Sequence, residues 1–152
     1  MAFDLFDIED EVDFEVIGVR SVLPEYKLAY HLNQCLGVKL VRWENDLDLV
    51  VKDKAVNFAT YQYFDEEDQK EFCLLKNNTL NKVVEKEATL FEENIKEEKS
   101  FLIPELSEFD FILKVYGYNT DELVNKIKKI TNIQIIKTME VSNIKSIHHL
   151  IF

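Results

Sequence analysis

The hydrophobic period of this chain switches between two and 3.6 residues and back, twice, and that alternation is what most limits its fold. A period of two puts one face of a strand in a core; a period of 3.6 draws an apolar stripe along a helix. A strand begins near "DFEVIGV", with Phe14, Val16, Gly18 and Val19 as its first ordered positions. The helix signal follows in "SVLPEYKLAYHLNQCLG", where Leu28, Ala29, Leu32, Cys35 and Leu36 fall on one stripe. Pro24 suits the first helical turn, where its missing N–H costs nothing, and Glu25 complements the positive end of the helix dipole. Gly37 supplies the left-handed stop.

The pattern returns in the last third. "FDFILKVYG" alternates, placing Phe109, Phe111, Leu113 and Val115 on a common strand face. "NTDELVNKIKKIT" reads as a helix with Asn119 as N-cap, Glu122 three residues on, and a stripe of Leu123, Val124, Ile127 and Ile130. "NIQIIKTMEV" is a strand again, and "HHLIF" a short closing strand. Between the two strand–helix–strand units (14–43 and 109–139) the period stays at two. "VKLVRW" and "LDLVVK" around "END" read as one hairpin, and "VNFATYQYF" and "EFCLLK" around "DEEDQK" as another. Segment 79–100 mixes Val83, Val84, Leu90, Phe91 and Ile95 with many charges and reads as an uncertain, partly ordered connection. These signals predict one α+β domain over 1–152: a single mixed, mainly antiparallel sheet, two main helices on one face, and two β-α-β units flanking a β-meander.

Composition narrows the function. With 47% apolar residues, eleven Phe and six Tyr, the 152-residue chain can bury a real core. The formal charge of −11 opposes binding to phosphate backbones, so nucleic acid is not an expected partner. The nearest basic patch, "KIKK" at 126–129, sits on a helix. No apolar run approaches the roughly 18 residues of a membrane span. The first fifteen residues hold seven acids and no base, which argues against a secretory signal and for a frayed acidic lead-in over 1–12. A cytoplasmic location is expected.

Sites of known chemistry are scarce. Gly-rich phosphate loops, a nucleophile elbow and an HExxH helix are all missing from the sequence. Cys35 and Cys73 form no CxxC and read as buried, reduced thiols. His148 and His149 would point to opposite faces of a strand, so no metal site and no cofactor are expected. His31 flanks the first helix stripe as a packing residue, and Arg42 and Trp43 read as strand-end packing residues. Asn77-Asn78-Thr79 matches a glycosylation sequon by chance. In "NFATYQYF" one face carries Phe58, Thr60, Gln62 and Phe64 and the other Tyr61 and Tyr63. Tyrosines exposed on a sheet face suit a protein interface, so Tyr61 and Tyr63 are interface candidates.

"FLIPELSEFDF" (101–111) gathers Glu105, Glu108 and Asp110 around a proline. In a strand Glu108 and Asp110 would share a face and repel. The simpler reading is a corner: Pro104 presets φ and ends the strand "SFLI", Glu105, Leu106 and Ser107 reverse the chain, and Asp110 accepts a backbone hydrogen bond nearby.

"FLIPE" followed by "FDFIL" resembles the signature of the IPExxVDY family, uncharacterised small proteins of Bacteroidota. "FEVIGVRSVLPEYKLAYHLNQCLGVKLVR" and the ending "HHLIF" are similar to that family as well. The signature positions are Ile103, Pro104, Glu105, Phe109, Asp110 and Phe111. Three residues separate Glu105 from Phe109, one more than the family pattern has. Phe111 stands where the pattern has Tyr, so no phenol is available there. The resemblance implies a bacterial cytosolic protein and no particular activity. Missing catalytic motifs, together with strand edges and aromatics available for an interface, make the expected function a non-enzymatic protein-interaction domain with an unidentified protein partner or self-association. The alternative is a small-molecule-binding or regulatory domain, with its ligand between helix and sheet or at a dimer seam.

Overall fold

A computed structural model describes residues 13–85 and 94–152; the acidic lead-in 1–12 lies outside the described residues. Along the chain come β1 (Glu15–Ser21), α1 (Glu25–Leu36), β2 (Val41–Arg42), β3 (Leu47–Val51), β4 (Lys54–Phe58), β5 (Thr60–Asp65) and β6 (Lys70–Lys76). Then follow β7 (Asn78–Glu85), β8 (Asn94–Phe101), β9 (Phe111–Tyr116), α2 (Thr120–Ile127) and β10 (Ile133–Met139). Three short 3₁₀ turns lie at Pro104–Leu106, Val141–Asn143 and Ile147–Leu150. The class is α+β.

Six strands form the main sheet in the order β10-β1-β9-β6-β5-β2, and every pairing in it is antiparallel. β1 lies between β9 and β10, so the strand–helix–strand passage through α2 straddles β1. β2 sits at the opposite margin. The β3–β4 and β7–β8 pairs each form a separate two-stranded sheet.

Alternation in the central strands feeds two cores. Ile17, Val19, Phe72, Leu74, Phe111 and Leu113 face Leu28 and Leu32 of α1 and Leu123 and Ile127 of α2. Both helices therefore cover one face. Val16, Cys73, Leu75 and Ile112 point the other way, under Phe58 and Val56 of β4, Leu102, Ile103, Leu106 and Phe109 of the corner, and Ile144, Ile147 and Leu150. Burial on both faces explains the near-continuous apolar runs "EFCLL" and "FILKV". Each fully buried Phe, Leu or Ile in them stabilises the fold by roughly 1.5–3 kcal/mol.

The helix ends behave as their residues dictate. Pro24 precedes α1 with φ −66°, and its carbonyl accepts from Lys27 and Leu28 N–H. Gly37 closes α1 at φ 69°, its N–H donating to Asn33 O. Asn119 Oδ1 accepts the Glu122 N–H at 3.1 Å.

Several expectations are corrected. The main sheet is antiparallel rather than mixed, and the strands divide among it and two separate two-stranded sheets rather than forming a single sheet. The first hairpin is not closed by "END": β2 pairs with β5, and β3 turns into β4 through Lys52 and Asp53 at φ 50° and 64°. Two left-handed residues are what a tight two-residue hairpin turn requires, but neither is Gly or Asn, so the sequence hides the turn. "VNFATYQYF" is two strands broken at Ala59, one in each sheet. Within segment 79–100, residues 79–85 and 94–100 belong to the β7–β8 ribbon, and 86–93, with Leu90 and Phe91, lie outside the described residues. Leu80 and residues 96–99 are exposed, so those positions offer no buried alternation to read. Cys35 is exposed at the end of α1 rather than buried. Where "HHLIF" is expected as a strand, Ile147–Leu150 forms a 3₁₀ turn. Its i, i+3 spacing puts Ile147 and Leu150 on one side and buries both.

Candidate functional site

The corner at 101–111 is organised by Asn77, at the end of β6. Its side chain is fully buried. Nδ2 donates to the carbonyls of Leu106 (2.9 Å) and Phe109 (3.0 Å), while Oδ1 accepts the Ile103 N–H at 2.8 Å. Its backbone N–H donates to Asp110 O and its carbonyl accepts from Leu102 N–H. One residue thus ties the corner together at five points, three through its side-chain amide and two through its backbone, and no buried side-chain polar atom is orphaned there. The sequon reading missed this role. An Asn directly after the apolar run "FCLLK" was the available signal, since Asn is depleted in strands unless a side-chain bond holds it.

Each signature residue then has a structural task. Ile103 is fully buried and Pro104 opens the 3₁₀ turn. Glu105 is exposed and accepts from the backbone N–H of Ser146 and, at 3.1 Å, from Ser146 Oγ. Burial opposes its ionisation, but the Ser146 bonds outweigh that and hold its carboxyl below the ordinary value. Asp110 Oδ2 accepts the Ser21 N–H at 2.9 Å, where the β1 register shifts between Arg20 and Ser21. The backbone bond expected of Asp110 is therefore long-range, bridging 89 positions. Glu108 and Asp110 precede β9 and share no strand face. Phe109 also lies before β9 and packs on the face opposite Phe111, Leu113 and Val115, against Gly18. The acids of this stretch are spread around a corner and do not converge.

A second polar cluster lies on β9 and β6. Lys114 Nζ sits 4.8 Å and 4.2 Å from the ring centroids of Phe14 and Phe152, and 4.0 Å from Glu71 Oε1. Glu71 also accepts from Gln62 Nε2 at 3.0 Å, and Gln62 Oε1 accepts from Trp43 Nε1 at 2.9 Å. Trp43 and Phe152 meet edge to face. Cys73 Sγ is 3.4 Å from Glu71 Oε1; burial first, and then the Glu71 charge, push its thiol up to about 12. At neutral pH that thiol stays protonated and is no nucleophile. Aromatic faces and one carboxylate hold the ammonium, an arrangement that fixes the sheet more than it offers reactive groups.

No family model matches this chain, and no curated protein or solved structure matches it.

Among the aromatic candidates, Tyr61 is only 8% exposed and packs in the helix-side core, where burial pushes its phenol up. Tyr63 packs against the same core, half-buried. Their face is the one the helices cover, which removes Tyr61 from any interface; Phe64, on the other face, is exposed instead. Arg42 forks onto Asp46 at 2.8 and 3.2 Å, anchoring a carboxylate of its own chain. His31 meets Tyr30 edge to face.

Two features remain open to a partner. The outer edge of β10 is one: a seven-residue strand with β1 on one side and, among the described residues, no strand on the other. The second is a shallow cleft of about 640 Å³ where β1 and β6 end and β9 begins, lined by Arg20, Ser21, Lys76, Asp110 and Gln134 among others. Among the described residues no helix is long and apolar enough to cross a membrane.

Proposed function

We propose that the chain is a non-enzymatic protein-interaction domain of the cytoplasm, the location that the IPExxVDY resemblance also implies, and that its binding surface is the outer edge of β10. The supporting observation is the edge itself. A strand at a sheet margin presents alternate N–H and C=O groups to any extended segment that pairs with it. β10 has no proline, and Ile135 stands 43% exposed on it. Main-chain pairing supplies affinity, and the side chains on either face supply selectivity. The test is affinity capture from cytosol with wild type and with Ile135→Lys, a change at an exposed position. Loss of captured protein, with folding intact by circular dichroism, supports the edge. An unchanged set of captured proteins rules it out.

The cleft favours a second reading as a small-molecule-binding domain. Arg20 and Lys76 border it, although Lys76 Nζ already lies 3.7 Å from Glu25. A thermal-shift series with small anionic metabolites decides this, because a ligand of the native state raises Tm. No shift with any of them removes the reading.

A further inference from the structure

The charge along the β10 margin names an occupant for that edge. The basic residues gather where the strand begins. Arg20 pairs with Ile135 across the β1 register, and Lys128 and Lys129 follow the end of α2, five and four residues before β10 begins at Ile133. All three are exposed, and among the described residues none has an acid partner. Acids gather where it ends. Glu140 follows Met139 directly, Glu15 adjoins Val16, the partner of Met139, and Glu122 lies in the first turn of α2. All of these are exposed too. The edge therefore carries a positive end and a negative end along one strand.

We propose that a second copy of this chain pairs antiparallel along β10, about a twofold axis perpendicular to the sheet. This rests on the reading of β10 as the interaction edge. An antiparallel pair sets the beginning of one strand beside the end of the other, so each basic end meets an acidic end. Parallel pairing would set like beside like. The twofold operation also keeps both pairs of helices on one face, extending the six-stranded sheet to twelve.

Register follows from Lys137. Centring the axis on Ile136 overlaps all seven residues and sets Lys137 opposite Ile135 of the other copy. The lysine stem then covers the exposed isoleucine while its ammonium stays in water. Centring on Lys137 would oppose two ammonium groups. The net charge of −11 per copy does not forbid this contact. At about 0.15 M salt the screening length is about 8 Å, so the charges beside the edge outweigh distant ones.

Sedimentation velocity over a concentration series at 0.15 M salt tests the pairing, with Ile135→Lys and Ile135→Glu beside wild type. Wild type is expected to dimerise. Ile135→Lys creates two symmetric Lys–Lys pairs and weakens the dimer by about two- to thirtyfold, while Ile135→Glu faces Lys137 and holds or tightens it. Arg20 faces position 135 within each copy in monomer and dimer alike, so it leaves the association constant unmoved. Equal weakening by both variants, or a wild-type monomer up to millimolar concentration, overturns the proposal. A strict monomer whose cytosolic capture is still lost in Ile135→Lys overturns the second copy and leaves the edge standing. A strict monomer with unchanged capture overturns both.

Discussion

A β-carbon on Gly18 would stand 2.7 Å from Phe109 Cγ, with the two Cδ atoms of the ring at 2.8 and 2.9 Å. Phe109 lies flat on β1 at the one position of that strand with no side chain. The corner packs against the sheet because glycine leaves room for the ring.

Gly18→Ala is accordingly destabilising. Restricting the unfolded chain gains about 0.4–1 kcal/mol, but overpacking costs about 1–3 kcal/mol, and the clash wins. Urea denaturation should show a lower midpoint. In a Phe109→Ala background the same change should be neutral or stabilising; an equal penalty in both backgrounds would dissociate the two residues.

Asn77→Ala leaves the Ile103 N–H and the Leu106 and Phe109 carbonyls buried without a side-chain partner. The Leu106 carbonyl still accepts the Phe109 N–H, so two groups are left unsatisfied, and at about 1–3 kcal/mol each the loss should reach about 2–6 kcal/mol. Asn77→Asp keeps an acceptor for Ile103 but loses both donors and turns a carboxylate on two carbonyls, so it should be no milder. Asn78→Ala, one residue on and only half-buried, should stay within about 0.5 kcal/mol. Equal effects at 77 and 78 in chemical denaturation would sink the hub assignment.

Glu105 gives the corner a pH dependence. Its carboxyl is held below the ordinary value in the folded chain, so its contribution is present above the unfolded pKa and is lost as pH falls through the folded one. The stability gap between wild type and Glu105→Gln should therefore be widest near neutrality and close as the solution is acidified below pH 4. A gap that widens on acidification contradicts the Ser146 contact.

The two thiols should separate cleanly. Cys35 is exposed, whereas Cys73 is buried with its thiol pushed up to about 12. A disulfide reagent at pH 8 should titrate one thiol in the native protein and both in denaturant. Two fast thiols in the native protein would contradict the closed packing over β6.

The helices were legible because their signals are local. Pro24, Gly37 and Asn119 act within one turn of themselves, and the stripes of α1 and α2 need only a face to bury. Cys35 marks where this stops: it satisfies the stripe spacing, but in the last turn of α1 it is exposed, with its thiol 3.3 Å from the Lys126 carbonyl rather than in the core. Phe109 marks a different limit. It obeys the alternation of "FDFILKV", yet the corner delays β9 until Phe111 and turns Phe109 to the other face. The signature acids looked like a cluster in sequence because they are close in number. In space Glu105 reaches Ser146 and Asp110 reaches Ser21, on two different elements.

By itself, the sequence determined the class: two helices with their caps, strands by their period, and enough apolar surface for a core on both faces of a sheet. The tertiary structure alone decided the strand order, the second layer made by the β3–β4 hairpin and the corner, the role of Asn77, and the open margin at β10. The reason is range. Periodicity and capping depend on neighbours within about four residues, whereas the partner of a strand edge or of a buried amide is chosen by long-range packing that no local pattern records.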